Sequence, residues 1–214
     1  VSASLQTLFQ TSGGEFLPGM IDSTFIIAAL LALFTILFGT RHLDATERHE
    51  GMVAAIAFES VVKLAAFLAV GVFVTYGMFG GLSDLFQRAA ASPELARLLQ
   101  MDSSRAGTWT ALILLSGLAI IFLPRQFQII VVENVDEAHL KRAVWLFPLY
   151  LVAINIFVLP LALGGLLHFQ GQDFNPDTFV LTLPLARGAE SLALLVFIGG
   201  LSAATGMVIV ASVA

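Results

Sequence analysis

Apolar positions along this chain gather into long runs separated by short polar segments. They do not alternate as in half-buried strands, nor do they mark a single stripe as in a soluble amphipathic helix. Five runs stand out, at about 24–38, 52–78, 108–132, 143–167 and 191–214. About 20 apolar residues in helical form cross a hydrocarbon layer about 30 Å thick. The pattern therefore predicts an all-α polytopic membrane protein with five transmembrane helices. Asp22-Ser23 can cap the first of these, which is short enough that its ends must include interfacial residues.

The third run, Thr108 to Asp136 (TWTALILLSGLAIIFLPRQFQIIVVENVD), is interrupted. Pro124 removes a helical donor and crowds the preceding turn, so the helix should break near Phe122–Leu123 before apolar residues resume at Ile129. Irregular backbone with a charge beside it is tolerated at membrane depth only inside protein or against a watery cavity. Discontinuous helices of this kind build the substrate sites of many secondary transporters, which makes Phe122, Pro124, Arg125 and Gln126 candidates for a substrate path. The plainer reading is a helix end, with Arg125 snorkelling to the headgroups.

Within the other runs, polar groups are sparse. Glu59 and Lys63 lie four apart in the favourable order for a helical ion pair. Such a pair either faces a bundle interior and marks function or simply neutralises itself near the interface. Asn155 sits mid-run, placed to bond another helix or a ligand; Pro148, Pro160 and Gly164-Gly165 let the same run bend. The last run carries GGLSAATG at Gly199–Gly206, where small residues allow close helix approach and Ser202 and Thr205 add hydroxyls.

The polar segments read as follows. GTRHLDATERHEG at 39–51 is a solvated loop whose His42 and His49 match no zinc spacing. Residues 80–107 form an extramembrane excursion with two short amphipathic helices on the membrane surface or capping the bundle. Leu85, Phe86, Leu95, Leu98 and Leu99 lie on their apolar faces, and Ser92-Pro93-Glu94 marks a helix start. ENVDEAHLK at 133–141 is a link, and Arg142 and Trp145 anchor the following span. Residues 169–190, with Asp173, Asn175, Asp177 and Arg187, form a second polar excursion. Basic residues tilt the short loops 39–51 and 133–142 to the cytoplasmic side.

Composition narrows the classes further. The 214 residues are 58% hydrophobic and 12% charged, which excludes an ordinary water-soluble domain and makes the lipid bilayer a partner. Cysteine is absent, and the net charge of −5 comes without any basic run, so neither disulfides nor nucleic-acid binding is expected. No nucleophile elbow, phosphate loop or credible metal cluster appears, and enzyme activity would have to reside outside these residues. The first residues show no signal-peptide pattern, and the chain reads as a piece cut from a longer protein.

Phe34–Gly51, FTILFGTRHLDATERHEG, resembles the sodium:solute symporter family, with Thr35, Leu37, Gly39 and Thr46 at matching positions and Glu47 and Glu50 standing for the family's Asp and Gln. Pro124 falls at the proline of that family's broken helix, where Phe122, Leu123 and Arg125 replace its Gly, Gln and His. GGLSAATGMVIVASVA is similar to its sodium-site helix, with Ser202 at the first hydroxyl and Ala203 at the second. The likeness covers essentially the whole chain and implies core helices 4–8 of a LeuT-like fold of two inverted five-helix repeats. The departures look like the branch in which a symporter-like module is fused to a sensor histidine kinase. The resemblance implies a module of the bacterial cytoplasmic (inner) membrane that binds or transports a small solute, an amino acid such as histidine or an organic acid. It also implies signalling to a kinase outside these residues and, through it, to a response regulator. Sodium at Gly199, Ser202 and Thr205, or a proton, would be the coupling ion, and Arg125 would meet a substrate carboxylate. The alternatives are a stand-alone ion-coupled symporter and a transport-inactive receptor or anchor.

Overall fold

The computed structural model describes residues 23–38, 50–99, 106–123, 127–132, 134, 136–172 and 175–213. Among these, the regular elements are all helical. In chain order they are α1 (Ser23–Phe38), α2 (Glu50–Val72) with a π-helical continuation at Phe73–Met78, α3 (Leu82–Ala91), α4 (Pro93–Leu98) and α5 (Ala106–Phe122). A π-helical segment at Gln128–Val132 follows, then α6 (Glu137–Asn155), α7 (Val158–His168), a 3₁₀ turn at Pro176–Thr178, α8 (Phe179–Ala186) and α9 (Glu190–Val213). Three stretches are long and apolar enough to cross a membrane: Val53–Met78, Glu137–His168 and Glu190–Val208. At 16 and 17 residues, α1 and α5 are shorter, about 25 Å each at the helical rise per residue.

The pause between α6 and α7 follows from Pro160. Its nitrogen has no hydrogen for the Ile156 carbonyl, and its ring crowds that group. The helix stops at Asn155 and restarts at Val158, with Ile156 still donating to Val152 at 3.1 Å and Leu161 to Phe157 at 2.9 Å. Pro148, by contrast, lies inside α6 without ending it. Gly164 and Gly165 serve close packing instead of bending. A Cβ on Gly164 would stand 2.7 Å from Val74, and one on Gly165 would run into the Phe179 ring.

Two apolar clusters hold the bundle together. Val70, Val74, Leu161, Phe179 and Leu183 form the first, where the end of α2, α7 and α8 converge. Leu85, Ala89 and Leu95 pack on Leu163 to form the second, so α3 and α4 cap one end of the bundle. Ser92 precedes α4 and Pro93 opens it, as the sequence predicts. Leu98, expected on an apolar face, is instead 68% exposed.

The largest difference from the sequence reading lies at 169–190. Its polar residues mark only the rim of the segment. FVLTLPLA folds as α8 and buries Phe179, Leu181, Thr182, Leu183 and Pro184. The Asn175 side chain caps the preceding turn by accepting from the Asp177 amide at 3.0 Å. Gly188, at φ +71°, ends α8 with the paired bonds of a Schellman motif: Gly188 donates to Leu185 at 3.0 Å and Ala189 to Pro184 at 2.9 Å.

Candidate functional site

The site begins with two charges on an otherwise apolar helix. Glu59 and Lys63 follow each other by one turn of α2, and the Lys63 ammonium donates to Glu59 Oε1 at 2.7 Å. The Glu59 side chain is only 11% exposed and that of Lys63 28%. An isolated charge in this setting would cost several kcal/mol, so the pairing is what allows both to remain.

Helix α9 covers this pair, and α2 with α9 makes the most extensive helix contact among the described residues. Gly206 faces the Glu59 carboxylate so closely that a Cβ there would overlap Oε2. Gly199 sits seven residues earlier, on the same face, 3.8 Å in Cβ terms from Ala66 and 3.9 Å from Lys63. The two helices therefore run antiparallel. The candidate ion pair and the small-residue stretch, far apart in sequence, meet here.

The Thr205 hydroxyl of that stretch bonds within its own helix. Thr205 Oγ1 donates to the Ser202 carbonyl at 2.8 Å and lies 3.4 Å from that of Leu201. Helix α9 is continuous through Gly199–Thr205, so no unwound turn frees carbonyls there. A hard cation needs several convergent oxygens. Gly199, Ser202 and Thr205 lie along one unbroken helix and do not make such a cage by themselves.

Lys63 also borders an open, almost wholly apolar pocket of about 300 Å³ lined by Phe67, Ile154, Val180, Val196 and Gly200. Its walls come from α2, α6, α8 and α9. Tyr150 of α6 reaches toward the Ser60 carbonyl of α2 at 3.5 Å, the long limit of a hydrogen bond, and links those two walls beside Glu59. Ser60 turns its own hydroxyl to the Ile56 carbonyl at 2.8 Å.

Of the residues assigned to a broken-helix substrate path, the two described ones, Phe122 and Asn155, do not line this pocket. Phe122 is 74% exposed at the end of α5, whose side chains from 106 to 118 are all exposed. Pro124, Arg125 and Gln126 lie outside the described residues, as does Asp22. Asn155 donates to the Leu151 carbonyl of its own helix at 2.7 Å, reaching neither another helix nor the cavity. Sequence reasoning missed Tyr150, Gly200 and the cavity wall from α8. The seven-residue spacing of Gly199 and Gly206 was the available signal for a shared face.

Outside the bundle, Asp84 organises the start of α3. Its Oδ2 accepts from the Gly80 amide at 2.9 Å and its Oδ1 from Arg88 Nε at 2.8 Å. The Arg88 hydrogen bond, then that from Gly80, holds the carboxyl below its ordinary range. The same partnership raises the Arg88 guanidinium, which lies 5.8 Å above the Phe79 ring.

Compared with known proteins, the chain matches no family model, no curated protein and no solved structure.

Proposed function

We propose that this chain is the transporter-like membrane module of a larger protein. In this reading it binds or carries a small solute within the bilayer and passes occupancy to a sensor histidine kinase and its response regulator. The observation that carries the proposal is the Glu59–Lys63 pair, held inside an apolar helix against Gly206 of α9 and beside a cavity. Ionisable residues at such depth are rare and mark substrate or ion pathways. The resemblance of Phe34–Gly51 and Gly199–Ala214 to sodium:solute symporters supports the LeuT-like arrangement, the inner-membrane location and the solute class.

Uptake of radiolabelled histidine by the whole protein in proteoliposomes, with sodium and proton gradients imposed separately, tests this reading. Uptake should follow one gradient and fall at least tenfold in Glu59→Gln and Lys63→Gln. If neither histidine nor a panel of amino and organic acids is taken up while a solute still alters kinase output, the module is a receptor.

A further inference from the structure

The two halves of the long apolar stretch Glu137–His168 are held very differently. Helix α7 buries Pro160, Leu161, Leu163, Gly164 and Gly165, whereas α6 buries no residue at all. Apart from α7, the main neighbour of α6 among the described residues is α2. The hydrogen bond from Tyr150 to the Ser60 carbonyl that ties them is, at 3.5 Å, at the limit of its reach.

Between the halves the chain has a pivot. Pro160 leaves the Ile156 carbonyl without its helical donor, and Phe157 turns out of helical geometry, at φ −101° and ψ 3°. Proline sites of this kind are where helices bend, and hinges absorb their motion in a few residues at element ends. The Phe157 ring packs on the cluster of Val70, Val74 and Leu161. It also lies against Gly71 so closely that a Cβ there would overlap it. Phe157 therefore belongs to the fixed half, and the helix before it does not.

Beside α6 there is room to move. Ile154 borders the open apolar pocket of about 300 Å³, and Val180 of α8 with Val196 and Gly200 of α9 stand across it. A Cβ on Gly200 would meet nothing within 4 Å, so that side of α9 is not packed. Closing such a gap replaces loose filling by close side-chain contact, which is what favours helix association within a bilayer.

We propose that α6 is a hinged arm. It swings as one rigid body about Phe157, between the position described and a closed one in which Ile154 packs on Val180, Val196 and Gly200. Lys141, about 24 Å from the pivot at the helical rise, moves about 6 Å for a swing of about 15°. The arm needs no particular solute and operates in a transporter and a receptor alike.

The test is double electron–electron resonance on the whole protein in nanodiscs; these 214 residues contain no cysteine of their own. Labels on Lys141→Cys and Met207→Cys measure from the arm to α9. Labels on Gln87→Cys and Met207→Cys measure between α3 and α9, outside the arm; all three positions are exposed. The arm pair should give two distances about 5 Å apart and the reference pair one. Gly200→Leu fills the pocket and should cut the share of the shorter arm distance at least fivefold, with a melting temperature within a few degrees of the parent. Pro160→Ala restores a donor to the Ile156 carbonyl and should leave a single arm distance.

An arm distribution in the parent as narrow as that of the reference pair overturns the proposal. Two distances that persist unchanged in Gly200→Leu overturn it as well, because the arm then does not close over this pocket. If Pro160→Ala melts like the parent and still shows both distances, Phe157 is not the pivot and the hinge falls. Should Pro160→Ala lose stability, the parent and Gly200→Leu decide the matter alone.

Discussion

At the scale of single residues, glycines decide how closely this chain's helices meet, and they do so unequally. Gly165 lies against the Phe179 ring, with no room for a methyl group, whereas Gly117 has nothing within 4 Å of its Cβ position. Gly165→Ala should destabilise the protein by about 1–3 kcal/mol through overpacking. Gly117→Ala should be neutral or stabilise by up to about 1 kcal/mol through helix propensity. Thermal unfolding in detergent separates the two, and equal effects would contradict the packing described for Gly165. Thr75 presents the opposite case. Its hydroxyl is fully buried in the π-helical end of α2 and has no hydrogen-bond partner. Thr75→Val keeps the shape and removes a desolvated polar group, so stability should hold or rise by about 1 kcal/mol. A clear loss in the same measurement would mean that the hydroxyl has work to do.

At the scale of elements, the start of α3 depends on one ionised carboxylate. The bonds from Arg88 and Gly80 favour the charged form of Asp84 and lower its pKa in the folded chain. The resulting stability is present above the ordinary carboxylate pKa and is lost as pH falls through the lowered folded value, below about pH 4. Exchange of the Gly80 amide, corrected for its intrinsic rate, should accelerate in that window. Asp84→Asn should show the fast rate already at neutral pH and flatten the profile. Other elements differ in how far their sequence announces them. The helices α2, α6 and α9 follow from long apolar runs, and the opening of α4 follows from Ser92 and Pro93, because each rests on local chemistry. Helix α8 escaped notice: eight residues are too few for periodicity to speak, and Asn175, Asp177 and Arg187 around it read as solvent. What makes α8 a core element is supplied by Val74, Leu161 and Gly165, all distant in sequence.

At the scale of the whole molecule, the ends of α2 and α7 lie at the same side of the bundle, where α3 and α4 cover Leu163. The candidate site shows the same dependence on distant residues. Glu59 and Lys63 could be paired from their spacing, but their meeting with Gly206 and Gly199 required the antiparallel packing of α2 on α9. Because the chain contains no cysteine, sidedness can be read one position at a time. Gln87→Cys and Gln172→Cys, both at exposed positions, should react with a membrane-impermeant maleimide from one face, and Lys141→Cys, near the start of α6, from the other. Labelling of all three from a single face would rule out a membrane crossing between Lys141 and Gln172.

Helix α8 has a consequence for how the chain is made. Its eight residues reach about 12 Å, less than half the thickness of the hydrocarbon layer. The insertion machinery therefore has no span to recognise there and releases α8 on the side where α7 ended. Phe179 and Leu183 can settle on Val70, Val74 and Leu161 as soon as α8 is made, but the flank of Val180 and Leu181 that borders α9 stays open until that helix arrives. A nascent chain stopped after Ala186 should be a ready substrate for membrane quality-control proteases, and one extended through Val213 should resist them.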